Sequence, residues 1–84
     1  MLLTRHFRDE LADEEITFQD AHDVLRLGLI YDEPEQDSNT AEWKYRIEGY
    51  EPGGKWMAII FSFKTIKMVT LITIFSIQSR RRRS

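Results

Sequence analysis

The stretch from Ala41 to Phe63 constrains this chain more than any other, because it reads as two long strands joined by a tight turn. Over Ala41 to Tyr50, apolar Trp43, Tyr45 and Ile47 alternate with Glu42, Lys44, Arg46 and Glu48, the period-two pattern of a strand with one face in a core and one in water. Glu51-Pro52-Gly53-Gly54-Lys55 is a hairpin turn, since proline holds a negative φ and glycines accept the positive φ that tight turns need. Trp56 to Phe63 is apolar on both faces, as in a central strand. Lys64-Thr65-Ile66-Lys67 turns the chain into a last strand, Met68 to Ile77, rich in β-branched residues and far short of the ~20 residues of a membrane helix.

The N-terminal half carries helical periodicity. Leu3, Phe7 and Leu11 recur at every fourth position and predict a helix over 4–13. Thr17 stands three residues before Asp20 and caps a second helix over 18–27, with Phe18, Ala21, Val24 and Leu25 as its buried stripe and Gly28 as a left-handed stop. Leu29 to Glu33 reads as a short strand halted by Pro34, and Glu35 to Thr40 as a loop. The predicted architecture is α+β: two N-terminal helices packed on one face of a four-stranded, mainly antiparallel sheet in the order α-α-β-β-β-β. One domain over 1–77 is followed by a basic tail over 78–84.

A chain of 84 residues supports one core. Domains of this size bury only ~60–65% of their unfolded surface, so complexes, homo-oligomeric or hetero-oligomeric, are expected. The absence of cysteine excludes disulfides and thiolate metal sites and fits a reducing compartment; Met1 to His6 run straight into charged sequence without a secretory apolar stretch, so a cytoplasmic location is expected. The net charge of −2 averages two opposite halves: three Arg against twelve acids over 1–42, and ten fewer acids with nine Lys or Arg over 43–84. That asymmetry either steers a charged partner such as RNA or is neutralised within the fold.

His6 in the first helix, Ile16-Thr17-Phe18-Gln19-Asp20 at a helix start, Val24-Leu25-Arg26-Leu27-Gly28 at a helix end, the Glu42 to Gly49 strand and the Leu71-Ile72-Thr73-Ile74-Phe75 strand together carry a resemblance. Over roughly 3–77 the chain resembles a family of small bacterial domains of unknown function, itself similar to BrnT toxins and, more distantly, to RelE-like ribonucleases. The resemblance implies a RelE-like fold, a cognate antitoxin as partner, and metal-independent cleavage of RNA.

Cleavage without a metal needs a proton acceptor for the 2′-hydroxyl, a proton donor for the leaving oxygen, and cations around the phosphorane. Lys44 and Arg46 leave one strand face about 6.5–7 Å apart, a spacing suited to a phosphate. The same pair also fits a solvated face of cross-strand ion pairs. His6 is the candidate acid or base, because histidine changes charge near neutrality; His22 reads as a surface residue of the second helix. Lys55, Lys64, Lys67 and the run Arg80-Arg81-Arg82-Arg83 are candidate phosphate contacts, and Tyr50 is a further polar group of suitable type. Trp43, Tyr45, Trp56 and Phe61 fit either base stacking or core packing. No histidine pair has metal-ligand spacing, no glycine-rich phosphate loop is present, and neither a metal nor a cofactor is expected. Two readings follow: a ribonuclease toxin using His6, Lys44 and Arg46, or a non-catalytic module that binds protein or nucleic acid through the basic sheet face.

Overall fold

A computed structural model describes residues 1–65 and 67–77. Thr17 accepts from the backbone N–H of Asp20 while the Asp20 carboxylate accepts from the N–H of Thr17, a reciprocal box that starts α2 (Phe18–Leu27) where the sequence places it. Thr4 caps α1 (Arg5–Asp13) by accepting from Phe7 N, and its hydroxyl also donates to Ile72 O, tying the helix start to the sheet. Gly28 ends α2 in an extended and not a left-handed conformation (φ −76°). Glycine is required there by space: a Cβ would stand 2.5 Å from Val24 O and 2.6 Å from Glu48 O.

The strands are β1 (Leu2–Leu3), β2 (Glu35–Gln36), β3 (Trp43–Tyr50), β4 (Trp56–Thr65) and β5 (Met68–Ser76). The hairpin joining β3 to β4 turns through Gly54 at φ +99°. Among the described residues the sheet has five strands, not four, in the order β1-β5-β4-β3-β2. β1 pairs with β5 in parallel and the other pairs are antiparallel. The sequence reading missed β1 because two residues carry no periodicity, and their partners Thr70 and Leu71 lie at the far end of the chain.

The strand expected over Leu29 to Glu33 does not form. Leu29 pairs with Glu48 and Glu35 pairs with Lys44, so six steps of one segment face four steps of β3 and the surplus bows away from the edge. The short β2 therefore falls inside the expected loop.

Tyr45 and Ile47 of β3, Met57, Ile59 and Phe61 of β4, and Leu71 and Ile74 of β5 meet the helices through Phe7, Ala21 and Val24, and this is the core. α1 lies along β5, and its carboxylates close that strand's outer edge. Glu10 accepts from Ile74 N (3.3 Å) and from the Thr73 hydroxyl, and Glu14 accepts from Ser76 N (3.4 Å). Two acids one helical turn apart thus satisfy edge donors that would otherwise invite another strand. Among the described residues no helix is long and apolar enough to cross a membrane.

Candidate functional site

The sheet face away from the helices holds the charged alternate residues of β3. In register across it run the rows Lys44–Ser62–Thr70, Arg46–Ile60–Thr73 and Glu48–Ala58–Phe75. Parity alone assigns Glu48 to solvent, yet it is 1% exposed. Its two oxygens are held at 2.9 Å each by Arg46 Nε and Trp56 Nε1. The Arg46 guanidinium also sits 5.3 Å from the Phe75 ring centroid, so it spans Ala58, which is fully buried between Glu48 and Phe75. Tyr50 meets Trp56 edge-on at 4.7 Å between centroids, and Tyr31 lies 6.1 Å from it. Neither the burial of Glu48 nor the role of Trp56 was legible beforehand. The signal that could have found them is the turn register, which sets Tyr50 opposite Trp56 and hence the Trp56 ring beside Glu48.

Lys44 is also engaged: its Nζ is 3.0 Å from Asp37 Oδ2. Asp37 further accepts from Asn39 N (2.8 Å) and Thr40 N (3.2 Å), closing an Asx turn. The Lys44 hydrogen bond first, and the two backbone donors next, hold the Asp37 carboxyl below the usual aspartate range. Lys44 and Arg46 do share one cleft, of about 330 Å³, but Asp32, Glu33 and Glu35 line it with them. A phosphate entering there meets three carboxylates as well as two cations.

The other expected site residues are dispersed. His6 is exposed on α1 beyond the β5 edge, its Nε2 3.3 Å from Glu10 Oε1, while Lys44 and Arg46 are on β3, two strands further across the sheet. At about 4.8 Å per strand the three cannot touch one phosphate. Lys55, in the β3–β4 hairpin, donates to Glu14 O and pairs with the Glu14 carboxylate (3.5 Å). Lys64 and Lys67 are exposed together where β4 turns into β5. His22 is partly buried, with its ring 6.4 Å from that of Phe18, and not on an open surface as the sequence suggests. Arg80, Arg81, Arg82 and Arg83 lie outside the described residues. Among the described residues no three His, Asp or Glu side chains converge as metal ligands.

Of the aromatics proposed to stack bases, Phe61 is buried in the core and stacks on Tyr45 at 5.5 Å. Trp43 behaves differently. It is half exposed at the start of β3, and so is Phe63 on β4, which meets Tyr45 edge-on at 5.6 Å. The register that pairs Lys44 with Ser62 brings Trp43 and Phe63 level on neighbouring strands. Both lie on the helix-bearing face, at the end away from the α2–Gly49 contact, and Phe63 directly precedes Lys64. Phe63 was missed because it closes an apolar run that reads as core throughout.

Comparison with curated proteins gives no match, and comparison with solved structures gives none either. The pattern of a family described as a domain of unknown function, DUF4258, matches residues 3–76. Among the described residues that span takes in both helices and, apart from Leu2, every strand, and the chain therefore belongs to the DUF4258 family.

Proposed function

We propose that this domain is an RNA-binding module of the toxin kind, acting in the cytoplasm beside a cognate antitoxin. One observation carries the reading: Trp43 and Phe63 stand level and half exposed on adjacent strands, with Lys64 exposed at the end of β4 and Lys67 exposed on the turn that follows. Bases stack on such aromatic faces with ~1–3 kcal/mol each, whatever their identity, and lysines beside them neutralise phosphates. Tyr45 and Phe61 brace Phe63, each meeting its ring edge-on. The overall acidity of the chain does not oppose this, because charges beyond a Debye length of ~8 Å are screened and the local end of the sheet is what a strand of RNA meets. Two helices on one face of a mostly antiparallel sheet agree with the RelE-like fold that the resemblance implies.

Anisotropy of a labelled single-stranded RNA at low salt tests the reading. Trp43→Ala and Phe63→Ser are each expected to weaken binding by about tenfold, from the stacking lost. Equal affinity in the double variant overturns it.

A ribonuclease reading is favoured by one further observation, that Lys44 and Arg46 line a common cleft. His6 is too remote to serve that cleft, so the proton acceptor in this reading is a carboxylate at its rim, Glu33 or Glu35. Growth arrest on expression, relieved by Arg46→Lys in a folded protein, is its expected signature. Cleavage of RNA under chelation that survives Glu33→Gln with Glu35→Gln removes it.

A further inference from the structure

The row that carries Trp43 and Phe63 has a third member on the edge strand. β2 pairs Gln36 with Trp43, so Gln36, Trp43 and Phe63 run level across three strands and share the helix-bearing face. The acids nearest to them belong to the other face. Glu35 pairs with Lys44, Asp37 is bound to the Lys44 ammonium, and Glu42 is one residue out of step with Trp43.

Gln36 is exposed yet held: its Nε2 donates to Ala41 O at 3.1 Å. A carbonyl oxygen only accepts, so the amide nitrogen must face Ala41 and the orientation of the whole group is set. Ala41 stands at φ +63°, the left-handed region that residues with a Cβ rarely adopt. It is held there by its own N–H to Asp37 O (2.8 Å) and by the Gln36 amide, so the turn and the side chain fix each other. Among the described residues, the Gln36 carbonyl oxygen and its second N–H have no protein partner.

A clamped amide beside an indole ring offers one acceptor and one donor, side by side, to the rim of a base lying on Trp43. Adenine answers that pair on both of its edges, because its exocyclic amino group donates with an accepting ring nitrogen on either side. The Hoogsteen edge of guanine presents two acceptors, and a pyrimidine has no ring nitrogen there. A purine also covers more of the indole than a pyrimidine does. We propose that Gln36 is the specificity-determining residue of the RNA surface and selects adenine as the base stacked on Trp43. The proposal rests on the RNA reading and adds a base preference to it: Trp43 and Phe63 supply affinity, and Gln36 supplies discrimination.

Anisotropy of labelled RNA tetramers of adenosine, cytidine and uridine, at low salt on the wild-type chain, tests it. The adenosine tetramer is expected to bind about tenfold more tightly than the other two. A tetramer of purine riboside, which stacks but lacks the amino group, should lose that advantage. Gln36→Met, with wild-type circular dichroism, should bring the ratio of adenosine to uridine affinity to about one. A merely structural Gln36 would weaken both tetramers alike and keep the ratio, which overturns the proposal. The purine riboside comparison needs no variant and decides the matter if Gln36→Met does not fold. Equal binding of the adenosine and uridine tetramers by wild type overturns the role of Gln36 and leaves the stacking surface standing, whereas no binding of any tetramer overturns both.

Discussion

Arg46 Nε and Glu48 Oε2 lie 2.9 Å apart on alternate positions of one strand, and this contact converts what looks like a solvated face into a buried polar network. Trp56 completes it by donating to the second oxygen of Glu48. The carboxylate is buried and the guanidinium about one-third exposed, so removing one partner strands the other in a partly desolvated site.

Glu48→Ala is therefore expected to cost about 2–4 kcal/mol, since it leaves Arg46 and the Trp56 N–H without their acceptor. Urea unfolding measures it. Arg46→Met should cost a similar amount by taking the guanidinium away from a buried carboxylate, whereas Arg46→Met with Glu48→Met should recover much of the loss. A cost near zero for Glu48→Ala would mean that the network does not stabilise the fold.

Asp37 supplies a pH test. Its carboxyl is held low, chiefly by Lys44 and then by the Asn39 and Thr40 amides. A group whose folded value lies below its unfolded one adds stability that is complete above the unfolded value and is lost as pH falls through the folded one. The contribution is therefore present at neutral pH and fades below about pH 4. Asp37→Asn should lower the urea midpoint at pH 7 and converge with wild type in acid. Parallel stability curves down to pH 2.5 would contradict this.

The β5 edge predicts a local effect. Glu10→Leu removes the acceptor of Ile74 N and the Thr73 hydroxyl, so amide exchange at Ile74 should accelerate more than at Ile59 in the central strand. A loss of about 1–2 kcal/mol is expected with it. Unchanged protection at Ile74, measured by nuclear magnetic resonance, would show that α1 packs there without guarding the edge.

Gly28→Ala tests the close approach of α2 to β3. The added methyl meets the carbonyl oxygens of Val24 and Glu48, both backbone atoms that cannot swing aside. Overpacking of this kind costs about 1–3 kcal/mol, and it should also break the Leu29–Glu48 bridge. Wild-type stability in this variant would mean that α2 can lift from the sheet freely.

What the sequence revealed was local. Thr17 with Asp20, Ala21 and Val24 of the α2 stripe and the Pro52-Gly53-Gly54 turn act within a few residues, and the helix bounds and the β3–β4 hairpin follow from them, whereas Phe18, expected in that stripe, is exposed. What it concealed depends on distant pairing. Leu2 and Leu3 become a strand only beside Thr70 and Leu71, and Leu29 to Glu35 cannot stay in register with β3 because it is two residues too long. The site was obscured for the same reason. Lys44 and Arg46 were correctly placed on one face, but the distance to His6 is a matter of strand order, and the acids that neutralise the pair arrive on the bowed segment.

RNA is proposed to meet the sheet at Trp43 and Phe63. Titration of the isotope-labelled chain with a short single-stranded RNA, followed by amide and indole resonances, tests it most directly. The Trp43 indole and the amides of Phe63, Lys64 and Lys67 are expected to shift together and saturate, while Leu29 and Tyr50 stay in place. Shifts confined to Lys44, Arg46 and Asp32 to Glu35, or no shift at Trp43 at saturating RNA, would contradict it.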